Sequence, residues 1–339
     1  MLALLTVSLS LILLQPVECA AVINTWPFTR ATAAGFQAVS KTALDAVAAG
    51  CHQCELDQCD FTVGFGGSPD TNGETTLDAM ILDGGSMGMG AVARLRRIKA
   101  AIHVARAVLE HSAHSILAGD GALEFAKMMG FQEESLETPH SREVFDAWRA
   151  HKCQPNYYRN VLGQNTSCPP YAPIVSSTST VSREQQADAM AQISEVNHDT
   201  IGMVALDLEG RMAAGASSNG ANHKIAGRVG DAAVPGAGAY VDSRIGGAAA
   251  TGDGDIMMRF LPSFHAVQDM STGLHPRLAC EHALARIAQF YPTFKGAMVC
   301  LNRLGEYGGA AHGWNFSFSV QTSDMKSPEV VRVEPLALE

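Results

Sequence analysis

The chain changes character at Thr200, and that change constrains the fold around it. A polar His-Asp pair ends there and an unbroken apolar run, Ile201–Leu206, begins, as is typical of a buried strand. Residues 208–210 then read as a turn and residues 211–218 as the return strand, so the pattern predicts a β-hairpin. Counting back from the turn places Ser218 opposite Thr200 to within about one residue. A second hydroxyl is therefore expected beside Thr200.

Thr200 itself has two interpretations. As a β-branched residue it suits the first position of a strand. Threonine is a poor nucleophile unless a base lies beside it, and cleavage before Thr200 would free its own backbone nitrogen as that base. Cleavage between Asp199 and Thr200 would thus create one residue that carries both nucleophile and base. The local sequence alone favours the plain strand.

Helices and strands are mixed along the chain without regular βαβ alternation. Hydrophobic periodicity predicts helices at 32–49 and 92–111 and strands at 62–67 and 77–85. The second helix would carry a basic cluster on its solvated face, namely Arg94, Arg96, Arg97 and Lys99. Further helices are expected at 121–129, 141–150, 253–260 and 277–290, and further strands at 21–24, 297–302, 315–320 and 330–333. This mixture predicts an α+β layered fold with largely antiparallel sheets.

The balance of charge argues against a nucleic-acid partner. With 24 basic and 34 acidic residues the net charge is −10, whereas phosphates are neutralised by basic patches. A chain of 339 residues that is 47% hydrophobic can bury the core of one large domain or two smaller ones. Nothing in the sequence indicates a membrane-surface protein. The glycine-rich segments lack the GxGxxG spacing of dinucleotide sites, so no cofactor is expected.

The first residues predict a signal peptide. Residues 2–14 are apolar, and a stretch of roughly a dozen residues is too short to span a bilayer comfortably. Small residues at Val17 and Cys19 suit cleavage before Ala20, so residues 1–19 are expected to be removed. A retained anchor is the alternative.

The cysteines then predict disulfides. In a secretory compartment cysteines pair where they can. Proximity along the chain favours Cys54–Cys59, Cys153–Cys168 and Cys280–Cys300, which leaves Cys51 free and buried. The alternative is zinc bound near Cys51 and His52, but no second matching cluster supports it, so no metal site is predicted.

Residues 153–197 are predicted to form a largely disordered connector, because proline, serine and threonine dominate there. The connector ends just before Thr200, so cleavage at Thr200 would leave a flexible tail, and this placement favours the processing hypothesis. It also contains Asn165, the better of two candidate glycosylation sites, the other being Asn315.

Two short segments after the hairpin carry groups suited to substrate binding or catalysis. A guanidinium at Arg228 and a carboxylate at Asp231 suit the two charged ends of a free amino acid, with an internal ion pair as the alternative. Thr251 and Gly252 offer a hydroxyl and a backbone N–H for an oxyanion hole, and Asp253 is expected to cap the following helix.

Long blocks of the sequence resemble the glycosylasparaginase (aspartylglucosaminidase) family of the N-terminal nucleophile hydrolase superfamily. They extend from residue 24 to about residue 300 and comprise residues 24–28, 63–69, 73–80, 153–157, 198–203, 227–231 and 250–252. The resemblance implies a four-layer αββα sandwich of two mainly antiparallel sheets flanked by helices. It also implies a precursor that cuts itself before Thr200, giving an α subunit of residues 20–199 and a β subunit of residues 200–339 within one folded domain.

The resemblance assigns a role to each candidate residue. Thr200 would be the nucleophile and its α-amino group the base. Arg228 would hold the substrate's α-carboxylate and Asp231 its α-ammonium. Thr251 and Gly252 would form the oxyanion hole, with Gly252 also contacting substrate.

Two further positions complete the site that the resemblance implies. Trp26 would line the site beside the substrate. Ser218 stands where the family usually has a threonine, so it keeps the hydroxyl that orients the nucleophile and loses a methyl group. The family's last disulfide and its usual glycosylation sites are missing, which affects stability and glycan positions and leaves the chemistry untouched.

The function that the resemblance implies is that of a lysosomal amidohydrolase. It would cleave the N4-(N-acetyl-β-glucosaminyl)-L-asparagine linkage during glycoprotein degradation, with a small glycoasparagine as substrate. A dimer of cleaved α/β heterodimers is the implied assembly. The alternatives are a plant-type asparaginase that acts on isoaspartyl peptides and an uncut, non-catalytic secreted glycoprotein.

Overall fold

Two sheets lie at the centre of the molecule. The structure is a computed structural model and describes residues 19–174 and 200–337. Its strands, numbered along the chain, are β1 Ala21–Thr25, β2 Leu77–Asp83, β3 Met89–Leu95, β4 Ile116–Ala118, β5 Val161–Leu162, β6 Ala172–Pro173, β7 Ile201–Leu206, β8 Met212–Ser218, β9 Ala239–Asp242, β10 Gly246–Gly252, β11 Gly296–Asn302, β12 Tyr307–His312, β13 Phe316–Thr322 and β14 Glu329–Val333.

The larger sheet has the strand order β14-β13-β1-β7-β8-β2-β3-β4, and the smaller one has the order β12-β11-β10-β9. Every pair of neighbours is antiparallel except β3 and β4. In the described part of the chain the helices are α1 Thr29–Ala38, α2 Ala43–Asp57, α3 Ala101–His111, α4 Gly119–Met128, α5 Pro139–Ala150, α6 Gly254–Phe260, α7 Pro262–Ser271 and α8 Pro276–Ala288.

Three hydrophobic clusters separate four layers. One cluster joins α2 and α3 to the outer face of the larger sheet, a second lies between the two sheets, and a third joins the smaller sheet to α7 and α8. The order helix, sheet, sheet, helix follows from these clusters. The α+β fold with a four-layer αββα sandwich is therefore confirmed.

The central hairpin explains why the run after Thr200 is apolar without interruption. Met203 and Ala205 of β7 pack towards the helices, whereas Val204 and Leu206 pack between the sheets. Because side chains alternate between the faces of a strand, a strand covered on both faces needs apolar residues at every position. The register pairs Ile201 with Ser217, and continuing it by one residue sets Thr200 opposite Ser218, as the count from the turn predicted.

The prediction of a helix at 92–111 is wrong for the first half of that segment. Residues Met89–Leu95 form β3, and the helix, α3, begins only at Ala101. Two positive φ angles, +50° at Arg94 and +54° at Arg97, are incompatible with a helix through this segment. The basic cluster therefore does not lie on a helix face. Its members form hydrogen bonds and ion pairs that connect separate segments, namely Arg94 with Asp78, Arg96 with Glu74 and Asp120, Arg97 with Glu133, and Lys99 with Glu134.

Other predicted elements also differ. The segment 32–49 is divided between α1 and α2, because the chain turns at residues 39–42 and Thr42 caps α2 through Asp45 N. Residues 62–67 are not a strand, since Gly64 and Gly66 take φ angles of +74° and +81°. Periodicity also missed β9, β10, β12 and α7, whose sequences are rich in small residues or short.

The segment expected to be a disordered connector is described as far as residue 174. Residues 153–174 are held by the Cys153–Cys168 disulfide and by a short ladder between β5 and β6. The remainder of the connector lies outside the described residues, as do Asp199 and residues 1–18 of the predicted signal peptide. None of the described helices is long and apolar enough to cross a membrane.

Three disulfides connect residues that are close in sequence. They are Cys54–Cys59, Cys153–Cys168 and Cys280–Cys300, the pairs that proximity indicated. Cys51 is buried and unpaired within α2, and burial raises the pKa of its thiol well above the usual range.

Close contact between the two sheets predicts the effect of a single methyl group. A Cβ at Gly202 would lie 2.7 Å from the Ala249 Cβ of the facing sheet, whereas a Cβ at Gly121 in α4 would meet nothing within 4 Å. We expect Gly202→Ala to destabilise the protein by about 1–3 kcal/mol through overpacking, and Gly121→Ala to stabilise it by about 0.5–1 kcal/mol. Urea unfolding measures both, and equal stabilities of the two variants would contradict the packing described.

Candidate active site

Thr200 is enclosed at the start of β7. Its residue is fully buried and its φ angle is +88°, a conformation that is costly for a β-branched side chain. Within the described structure the buried Oγ1 has no hydrogen-bond partner. A buried hydroxyl without a partner can form its hydrogen bond with a ligand that enters the site.

Thr25 fixes the backbone around Thr200. It ends β1, the neighbour of β7, and its Oγ1 donates to Thr200 O at 3.2 Å and accepts from Gly202 N–H at 2.9 Å. One hydroxyl therefore bridges both sides of Ile201. Thr25 has no signal in the local sequence, because only the pairing of β1 with β7 brings it beside Thr200.

The level of Thr251 relative to Thr200 is set by packing between the sheets. A Cβ at Gly247 would lie 2.6 Å from Val204 Cγ1, and one at Gly202 would touch Ala249. The strands β7 and β10 therefore run in opposite directions across the interface. Continuing both to their ends brings Thr200 to the level of Thr251 and Gly252.

Trp26 connects the larger sheet to the end of β10. Its indole Nε1–H donates to Thr251 Oγ1 at 3.0 Å, and its own φ is +66°. The ring is packed edge-on against Trp314 and Phe316, with centroids 5.2 Å and 5.3 Å away. No pattern in the sequence indicated these two aromatic residues, which approach from β13 and the turn before it.

Gly252 is a position that only glycine can occupy. Its φ is +125°, and a Cβ would lie 2.5 Å from Lys295 O in the adjacent segment. Asp253 follows, and its side chain accepts from Ile256 N–H at 3.2 Å, so the predicted helix cap is confirmed. Burial raises the pKa of the Asp253 carboxyl, and nearby Asp255 raises it further.

Arg228 and Asp231 meet at the start of α6. A Cβ at Gly254 would lie 2.5 Å from Asp231 Oδ1 and 3.1 Å from Arg228 Nη2. The guanidinium also forms an ion pair with Asp255, with Nη2 at 3.1 Å from Oδ2. Asp255 is 45% exposed on its side chain, whereas the Arg228 side chain is 12% exposed. The sequence thus identified a cation and an anion that the fold brings together, and missed the partner Asp255.

Ser218 ends β8 across from Thr200. It is 2% exposed, and its Oγ accepts from Gly220 N–H at 2.8 Å. The next residue, Asn219, is fully buried and donates through Nδ2 to Phe61 O and Gly64 O, both at 3.0 Å. The loop that leads from β8 to Arg228 is therefore anchored at its first residues.

The remaining predicted sites lie on the surface. Asn165 and Asn315 are both exposed. In the part of the chain that the structure describes, no group of three or more His, Cys, Asp or Glu side chains could hold a metal ion.

His223, in the loop before Arg228, predicts a loss of stability in acid. Its ring is stacked on Trp148 with centroids 4.8 Å apart, and burial lowers its pKa from 6.5 to about 4. Between these two pH values the unfolded chain binds a proton that the folded chain does not, so stability falls as the pH falls.

We therefore expect the unfolding free energy of the wild type to decrease, relative to that of His223→Phe, as the pH is lowered from 6.5 to about 4. Urea unfolding at several pH values measures this difference, with His114→Phe at an exposed site as the matched control. Parallel pH profiles for the wild type and His223→Phe would contradict it.

Comparison with known proteins identifies the family of the chain. The model of an asparaginase family matches residues 14–330. A mouse protein named N(4)-(beta-N-acetylglucosaminyl)-L-asparaginase is 49% identical over 320 residues, which cover 92% of this chain and 91% of the mouse protein. A rat protein of the same name is 50% identical over 309 residues, covering 89% of this chain and 88% of the rat protein. The chain therefore belongs to the asparaginase family.

Proposed function

We propose that the protein hydrolyses the N4-(N-acetyl-β-glucosaminyl)-L-asparagine linkage with Thr200 as nucleophile. The observation that supports this most is the convergence of a buried threonine hydroxyl, the Thr251–Gly252 strand end and the Arg228–Asp231 pair. The names of the mouse and rat relatives state the same activity. The reaction is an amide hydrolysis that needs no cofactor.

Maturation is the first step of the proposal. Cleavage between Asp199 and Thr200 would divide the chain into an α subunit of residues 20–199 and a β subunit of residues 200–339, which stay together as one domain. The φ of +88° at Thr200 supports a cut there, because relief of an unfavourable conformation next to the bond lowers the cost of breaking it. Cleavage also supplies the base, since uncut Thr200 has no free amine.

The chemical step then uses one residue twice. The α-amino group of Thr200, a weaker base than a lysine side chain, removes the proton from Oγ1, which attacks the side-chain amide carbonyl carbon of the substrate. The resulting oxyanion lies between the Thr251 hydroxyl and the Gly252 N–H. The C–N bond breaks, the glycosylamine leaves with the transferred proton, and an aspartyl ester remains on Oγ1. Water hydrolyses the ester and releases aspartate.

Trp26 and Ser218 support this arrangement. Because the Trp26 indole donates to Thr251 Oγ1, the Thr251 hydroxyl proton is directed away from Trp26 and, in this proposal, towards the oxyanion. Ser218 lies across the hairpin from Thr200, where its hydroxyl would orient the new amino group.

Recognition of both α-groups limits the substrate to a single amino acid. Arg228 would bind the α-carboxylate as a fork, and Asp231 would bind the α-ammonium. A residue inside a peptide chain has neither charged group, so the glycoprotein must be digested before this enzyme acts. The compartment we propose is the lysosome, reached through the secretory pathway, which agrees with three disulfides. We further propose glycans on Asn165 and Asn315 and a dimer of cleaved heterodimers.

Processing gives the most direct test of the proposed nucleophile. We expect N-terminal sequencing of the active protein to find a fragment that begins at Thr200. Thr200→Ala should stay full-length and lose activity, whereas Thr272→Ala, at an exposed helix end, should be processed and active. An uncut active wild type, or an active Thr200→Ala variant, would refute the mechanism.

Arg228 and Asp231 together form the proposed amino-acid clamp, and this clamp predicts a second effect. Arg228→Lys keeps the charge and loses the bidentate geometry, so we expect KM for the glycoasparagine to rise about 10-fold or more with a smaller change in kcat. The same assay with β-aspartyl dipeptides distinguishes the isoaspartyl alternative. A strong preference of the wild type for those dipeptides would overturn the substrate proposed here, and an unchanged KM in Arg228→Lys would overturn the clamp.

A further inference from the structure

Asp78 is a buried carboxylate that the proposed chemistry does not use. It lies in β2 directly opposite Ser218 of β8 and is 3% exposed. Its Oδ2 accepts from Gly230 N–H and its Oδ1 from Arg94 N–H, both at 2.7 Å. Burial raises the pKa of the Asp78 carboxyl, while the two N–H donors and the charges of Arg228 and Lys224 act in the opposite direction.

The two glycines that flank the Arg228 guanidinium are held by this cross-strand pair. A Cβ at Gly220 would lie 2.8 Å from Arg228 Nη1, and a Cβ at Gly230 would lie 3.0 Å from the same nitrogen. Ser218 Oγ accepts from Gly220 N–H at 2.8 Å, and Asp78 Oδ2 accepts from Gly230 N–H. The guanidinium is therefore seated between two backbone segments, each fixed by a side chain of the Asp78–Ser218 pair.

The hydrogen bond to Gly230 also acts on Asp231, the next residue. Gly230 precedes the short helical turn Asp231–Ala233, whose first side chain meets Arg228 at Gly254. A shift of Gly230 would thus move both ends of the clamp at once. Asp255 also contacts the guanidinium: its Oδ2 lies 3.1 Å from Arg228 Nη2, and its side chain is 45% exposed.

We infer that Asp78 is a positioning residue for recognition of the substrate's α-carboxylate. It touches no reacting atom and acts through Gly230, which fixes the direction of Arg228 and the position of Asp231. The inference rests on the proposed role of Arg228 as the carboxylate-binding residue. It assigns to a buried residue of the larger sheet a share of the specificity for free amino acids.

The experiment compares Asp78→Asn and Asp78→Ala with the wild type, with Asp83→Asn at the end of the same strand as the matched control. The side chain of Asp83 bonds to the neighbouring Gly85 and Ser86 and lies outside the site. Each mature protein is assayed with N-acetylglucosaminyl-asparagine and with its analogue that lacks both the α-carboxylate and the α-ammonium. Rates are divided by the concentration of processed protein, measured as the free amino terminus at Thr200. Binding of free aspartate is measured by calorimetry.

We expect Asp78→Ala to lower kcat/KM for the full substrate about 10-fold or more, mainly through KM, and to weaken aspartate binding by a similar factor. Turnover of the analogue should change by less than about 2-fold, because the analogue uses neither Arg228 nor Asp231. Asp78→Asn keeps one oxygen acceptor and should fall between the wild type and Asp78→Ala, which keeps the test valid if the alanine variant fails to fold. Asp83→Asn should match the wild type.

Two results would overturn the inference. One is an equal loss on both substrates, which would mean general damage to the site. The other is wild-type kcat/KM for the full substrate together with wild-type aspartate binding in Asp78→Asn and Asp78→Ala. Failure of the proposed function is distinguishable, because a wild type that neither turns over the glycoasparagine nor binds aspartate would remove the role of Arg228 itself, and the inference with it.

Discussion

The contact between the two sheets is the constraint on which the candidate site depends. Gly202 lies against Ala249 and Gly247 lies against Val204, so β7 and β10 approach closely enough that neither can carry a larger side chain there. This packing sets the start of β7 level with the end of β10. Thr200 belongs to one sheet and Thr251 to the other, so a change in the spacing between the sheets would separate the proposed nucleophile from the proposed oxyanion hole.

Backbone atoms position most of the charged groups in the site. Glycine at positions 220, 230 and 254 lets the backbone approach Arg228 and Asp231 at distances that a Cβ would forbid. Three side chains in turn fix the backbone, namely Thr25 beside Thr200, Ser218 at Gly220 and Asp78 at Gly230. The groups that would contact substrate are therefore oriented before it binds, which is what a preorganised polar site requires.

Local patterns in the sequence predicted the parts of the site that are close along the chain. The turn after β7 was enough to set Ser218 opposite Thr200, and Asp253 was identified as a helix cap from its position. The roles of Trp26 and the four-layer arrangement came from the resemblance to a family. Thr25 and Asp78 were missed because they reach the site through strand pairing between distant segments. Trp314 was missed because it packs on Trp26 from the turn before β13, far away along the chain. The 92–111 segment was misread because its apolar residues suit both the helical period and the alternation of a strand. The positive φ at Arg94 has no signature in the sequence.

The central claim is that Thr200 Oγ1 carries the aspartyl group between the two halves of the reaction. Rapid acid quenching of the mature protein during turnover of N-acetylglucosaminyl-asparagine, followed by peptide mass spectrometry, tests it directly. We expect the peptide beginning at Thr200 to gain the mass of one aspartyl residue. The gain should be lost on treatment with hydroxylamine and should be absent without substrate. An adduct on a different side chain, or a burst of released glycosylamine with no adduct on Thr200, would contradict it.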